Sequence, residues 1–126
     1  MTYKDIQQIV IKRYRIILDE HSLCWGRTHA HVKERRVCKW HPASSMQATF
    51  KLLHEIGHIE TTTGGMRRCE SEYHATQWAL RRAAEFGLDV PEKIIKKYQD
   101  YIDTELDRGK RRGGSRYPAS LKLKKR

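Results

Sequence analysis

The stretch Leu52-Leu53-His54-Glu55-Ile56-Gly57-His58-Ile59-Glu60 constrains this chain more than any other. It sets two histidines four residues apart, with a glutamate after the first, inside an apolar run. On a helix, residues four apart lie on one face, about a turn from each other. His54 and His58 can then offer two imidazoles to a single ion, with Glu55 beside it. A zinc hydrolase uses this arrangement: two histidine ligands and a carboxylate next to the attacking water. The flanks agree with a helix. Ser44 is the candidate N-cap, with Gln47 in the capping-box position. Ala48, Leu52, Ile56 and Ile59 hold one stripe that Phe50 and Leu53 widen. Three threonines and then Gly64-Gly65 supply the stop.

A catalytic zinc usually takes three protein ligands, so a third must come from elsewhere. A metzincin would continue with Gly and His, but those positions hold Thr61 and Gly64, which excludes that class. The next predicted helix, Glu70 to Phe86, begins Glu70-Ser71-Glu72-Tyr73-His74. The 12 to 16 residues after His58 suffice for a loop and a return against the metal-bearing helix. Glu70, Glu72 and His74 are all candidates on spacing. Glu55 has the position of a general base, and Tyr73 and His74 are candidates for stabilising an oxyanion.

Elsewhere, Ile6, Ile9, Val10, Tyr14, Ile17 and Leu18 predict a helix over residues 3 to 20, although the β-branched second half also suits a strand. Leu23, Trp25 and Thr28–Val32 read as one strand, interrupted at Gly26. Arg36–Trp40 reads as another, with Lys33-Glu34-Arg35 as the turn of an antiparallel hairpin that His41-Pro42 ends. Met66 to Cys69 reads as a loop. Asp89-Val90-Pro91 opens a last helix, with Pro91 near its first turn, that buries Ile94, Ile95, Tyr98, Tyr101, Ile102 and Leu106 before ending at Asp107-Arg108-Gly109.

At 126 residues the chain suits one domain. Its net charge of +11 is unevenly placed. Residues 108–126 hold nine of the 26 basic residues and no acidic one, leaving residues 1–107 at +2. We therefore expect a domain over 1–107 and a basic, disordered tail over 108–126 that either contacts a polyanion or aids solubility. Three cysteines, no apolar run of membrane-spanning length and no secretory pattern at the N-terminus point to the cytoplasm. Cys24, His29, His31, Cys38 and His41 lie close in sequence, but without a C-x-x-C pair they are expected to be structural rather than a second zinc site. His21 carries no reading. Trp25, Trp40 and Trp78 are expected in the core or at its rim.

Two motifs together resemble the ImmA/IrrE family of metallopeptidases. The first is Phe50-Lys51-Leu52-Leu53-His54-Glu55-Ile56-Gly57-His58. The second is Glu72-Tyr73-His74-Ala75-Thr76-Gln77-Trp78-Ala79. The family pattern is H-E-[LI]-[GA]-H followed by a helix of the form E-x-x-A-x-x-[FW]-A, and the likeness spans roughly residues 1 to 88. The chain departs from it at His74, at Thr76 and at Leu80-Arg81-Arg82. The resemblance implies a small α+β zincin-like domain: an N-terminal helix, a short antiparallel sheet, the metal helix and a ligand helix. It also implies Zn2+ held by His54, His58 and Glu72, with Glu55 as the base. A cytoplasmic peptidase of a phage or mobile element, cutting a protein such as a helix-turn-helix repressor, would follow from it. The hairpin from Thr28 to Trp40 is the expected edge for an extended peptide. The contrasting expectation is a non-catalytic metal-containing module whose basic tail meets nucleic acid or an acidic partner.

Overall fold

The computed structural model describes residues 1–19, 27–113 and 116–125. The readings of His21, Leu23, Cys24, Trp25 and Gly26 lie outside these residues. Within them the chain is α+β, with four helices and a three-stranded mixed sheet. The elements are α1 (Tyr3–Arg13), β1 (Ile17–Asp19), β2 (His29–His31), β3 (Arg36–Cys38), α2 (Met46–Thr61), α3 (Arg68–Glu85) and α4 (Glu92–Arg111). No helix among the described residues is long and apolar enough to cross a membrane.

α1 is shorter than the predicted 3–20. Thr2 and Asp5 close a capping box at its start. At its end Arg15 turns left-handed at φ 53°, and the Ile16 N–H reaches back to the Ile11 carbonyl at 2.9 Å. This is the reversal that satisfies the last carbonyls of a helix. Ile17–Asp19 then becomes a strand, as its β-branched content allows. β1 runs parallel to β3, pairing Leu18 with Val37. The sheet is therefore mixed, in order β1-β3-β2, rather than purely antiparallel.

The hairpin forms where expected but is shorter. β2 and β3 pair antiparallel with Ala30 opposite Val37, and Val32–Arg35 make the turn. β3 stops at Cys38 because Lys39 is left-handed, at φ 59°. Trp40 then leaves the ladder, buries its ring and donates its indole N–H to the Ala48 carbonyl at 2.9 Å.

α2 is the centre of the molecule. Residues 52 to 57 are all buried, so the helix has no solvent face over more than a turn. Such a helix must be covered on every side. α1 supplies Ile6 and Val10, the sheet Val37, and α3 Ala79, Leu80 and Ala83. The cap of α2 is Ser45, not Ser44: Ser45 Oγ accepts from the Ala48 N–H at 3.1 Å, which leaves Gln47 one position short of a capping box.

α3 begins at Arg68, two residues earlier than predicted, and ends before Gly87 at φ 70°. Pro91 is the N-cap residue of α4, immediately before its first turn, and the expected apolar face of the helix packs inward through Ile102 and Leu106. α4 does not stop at Gly109 but continues to Arg111. The Tyr117 ring occupies the space where a Cβ on Gly109 would stand, at 2.6 Å. The boundary at residue 107 thus falls inside a helix. Residues 116–125, expected as a free tail, lie against α3 and α4. Gln77 exchanges two hydrogen bonds with the backbone of Lys124, and Gln99 bonds Leu121 and Leu123 in the same manner, at 2.7 to 2.9 Å. Leu123 packs on the core.

Candidate metal centre

The site forms where α2 and α3 approach most closely. His54 and His58 project from one face of α2, and Glu72 comes from the first turns of α3. Nε2 of His54 and Nε2 of His58 both point at the same carboxylate oxygen, Glu72 Oε2, at 3.0 and 3.2 Å. The two imidazoles stand edge to face, with centroids 4.7 Å apart. These separations suit ligands sharing one small cation. Donors at about 2.0–2.1 Å in tetrahedral array lie roughly 3.3 Å from one another.

The outer nitrogens of both rings are held by hydroxyls from α3. His54 Nδ1 meets Thr76 Oγ1 at 3.0 Å, and His58 Nδ1 meets Ser71 Oγ at 3.0 Å. Thr76 sends its one hydroxyl proton to the Glu72 carbonyl, at 2.8 Å, so toward His54 it can only accept. His54 therefore carries its proton on Nδ1 and turns the Nε2 lone pair toward Glu72. A lone pair facing a carboxylate oxygen at 3.0 Å repels it unless a cation or a proton lies between them. Such outer hydrogen bonds are how ligating histidines are usually oriented.

Electrostatics follow from burial and from this crowding. Burial lowers the pKa of His54, against the pull of Glu72. Burial acts the same way on His58, but the Glu72 hydrogen bond and the Glu72 and Glu55 charges outweigh it, so that His58 is raised. Burial pushes Glu72 up, while the two imidazoles crowded at its Oε2 pull it further down, leaving it well below the usual carboxylate range. Glu55 has no such compensation. Burial, with the Glu72 charge adding and His58 and Lys51 opposing, lifts it to about 7. A carboxylate poised near neutrality is suited to accept and return a proton.

The three candidates for the third position separate cleanly. Glu72 joins the two histidines; Glu70 faces Arg67 at 3.9 Å on the helix surface; His74 is exposed, its ring against Tyr73. His74 and Tyr73 are not among the groups gathered at Glu72. Sequence reasoning missed Tyr98, which it placed only on the buried face of α4. Its ring lies 4.7 Å from that of His54 and 5.3 Å from that of Phe50, walling the site from the α4 side. Burial, then the Glu55 and Glu72 charges, raise its pKa, so its hydroxyl stays protonated. A tyrosine among the Ile and Tyr of an amphipathic helix gives no signal of this in sequence.

A shallow cleft of about 310 Å³ runs between the hairpin and the start of α2, lined by Thr28, Lys39, Trp40, Gln47 and Lys51 among others. Lys51, at one end of the cleft, lies one helical turn before Glu55. One further group of metal-binding side chains is present among the described residues: His29, His31 and Cys38, expected to be structural, bring their donor atoms within 4.8 Å of one another. His41 is not part of it. Comparison of the chain with protein-family models, with characterised proteins and with solved structures gives no match.

Proposed function

We propose that the chain is a zinc metallopeptidase acting on a protein substrate, of the type that its resemblance to the ImmA/IrrE family implies. The observation carrying this reading is the convergence of two imidazole nitrogens and one carboxylate oxygen, with a second, near-neutral carboxylate beside them. Two imidazoles and one carboxylate form the donor set of several catalytic zinc sites, whose remaining position is open to water. His54, His58 and Glu72 would hold the ion.

The ion, when bound, supplies Lewis acidity that activates water and polarises a carbonyl. The remaining work falls to the chain. Thr76 and Ser71 fix both rings so that Nε2 of each faces inward. Glu55 accepts a proton from the attacking water and passes it to the departing amide nitrogen. Tyr98 covers His54 and keeps a protonated hydroxyl on that side. The cleft beside the hairpin is the approach for an extended peptide, bound along a strand edge.

The test is hydrolysis of a mixed peptide library by the zinc-loaded protein, alongside E55Q and a chelated sample. Zinc-dependent cleavage that E55Q abolishes while keeping its metal supports the reading. Zinc bound by a protein that cleaves neither the library nor a helix-turn-helix repressor supports the non-catalytic module instead.

A further inference from the structure

The hairpin brings together three donors that the peptidase reading does not use. The β2–β3 register sets His29 directly opposite Cys38. His31, two residues along the same strand, shares the face of His29 because side chains alternate along a strand. One face of a six-residue ladder therefore presents two imidazoles and a thiol.

The orientation of His29 sharpens this. Its Nδ1 lies 2.8 Å from the Arg27 carbonyl oxygen. A carbonyl only accepts, so Nδ1 carries the proton and Nε2 has the free lone pair. That Nε2 points at His31 Nε2, 3.2 Å away, with the two rings edge to face at 4.9 Å. Two nitrogen ligands of one tetrahedral zinc stand about 3.3 Å apart. The hydrogen bond to the Arg27 carbonyl is also the usual outer support of a metal-bound histidine. Cys38 is 1 % exposed, which shelters a metal–sulfur bond from solvent, while the half-buried histidines leave a route of entry.

We infer that His29, His31 and Cys38 form a second metal site that takes zinc through two imidazole nitrogens and a thiolate. As the sulfur–metal bond forms, the Cys38 thiol releases its proton to solvent. Zinc takes four donors, of which the described residues supply three. The role of this site is to hold the hairpin. β2 is an edge strand of three residues that pairs with β3 alone, and so short a pairing is weakly held by itself. A cation bonded to both strands fixes their register. The hairpin in turn frames the cleft next to α2. This site differs from the His54 centre in chemistry, because sulfur is a ligand only here.

That difference gives the experiment. The full chain is loaded with Zn2+ for metal analysis and with Co2+ for absorption spectroscopy. The wild type should bind two equivalents of zinc, and its cobalt form should show a near-ultraviolet sulfur-to-cobalt charge-transfer band. H29A and C38S should each lose one equivalent and the band. H54A should lose one equivalent and keep the band, and C69S should keep both. If C38S does not fold, H31A tests the same site from a less buried position. The band's presence in H54A speaks for the hairpin site whatever becomes of the peptidase reading. A wild type without the band, a band that survives C38S or H31A, or a site that takes Cu+ but not Zn2+ or Co2+ would overturn the inference.

Discussion

Gly57 lies against the backbone of Ala75: a Cβ on Gly57 would stand 2.4 Å from the Ala75 carbonyl oxygen. The glycine inside the H-E-x-x-H motif is thus a point of close backbone approach between α2 and α3, and it lies between the two residues whose imidazoles must reach Glu72. G57A must push the helices apart. Overpacking of this kind costs about 1–3 kcal/mol, and backbone on the opposing side leaves little room to relax. We expect a lower denaturation midpoint together with weaker metal binding at His54 and His58. Urea unfolding and metal titration of G57A check this; unchanged values in both would refute the close approach.

The cluster geometry separates Glu72 from its neighbours. E72A should lose the ion held by His54 and His58, and so should H54A and H58A. E70A and H74A should retain it, since Glu70 pairs with Arg67 and His74 is exposed. Metal content after dialysis against a weak chelator decides the matter. The T76V variant should hold zinc more weakly by about 10-fold or more, the usual effect of removing a hydrogen bond to a ligating histidine.

In E55Q the ion should stay and hydrolysis should fall by about 10²–10⁴-fold, the typical worth of a positioned general base. In the zinc-loaded wild type the cation pulls Glu55 below the value of about 7 set by burial. The acid limb of the kcat/KM profile should therefore lie below pH 7. A limb that persists in E55Q would assign it to another group.

Metal-free protein should show the cost of burying Glu55 directly. Its folded pKa, about 7, lies above the ordinary value of 4.5. A group raised on folding lends its stability fully below the unfolded value and loses it as pH rises through the folded one. Wild type should therefore weaken relative to E55Q between about pH 4.5 and 8, by up to about 3 kcal/mol. His58 is raised less in E55Q, which lacks the Glu55 charge, so both proteins are compared in an H58Q background. Urea unfolding of both at the two pH values, in chelator, measures the difference.

Much of the centre is legible in the sequence because it lies on helices. His54 and His58 need only the 3.6-residue period to share a face, and apolar residues on both sides report that period. The choice among Glu70, Glu72 and His74 is not local. It depends on how α3 is rotated, which the Gly57–Ala75 contact sets. β1 is open to two readings for a similar reason: Ile17 and Leu18 fit a helix or a strand, and the parallel partner that settles it, β3, lies nearly twenty residues on. The hairpin was readable from its turn. Its metal-binding face was not, since that requires knowing that His29 falls opposite Cys38. Tyr98 reaches His54 only through the packing of α4 on α2.

Gln77 and Gln99 each hold the backbone of residues 121–124 as a neighbouring strand would. During synthesis, α3 and α4 emerge well before those residues exist. Until then Gln77, 5 % exposed in the finished fold, has no backbone to bond. The metal helix and its ligand helix can meet early, as their short connection favours, whereas the segment that bridges α3 and α4 can dock only once Lys124 has been made. A chain cut at residue 107 would break α4 before its end and leave the buried Gln77 amide without its backbone partner, so it is not a minimal domain.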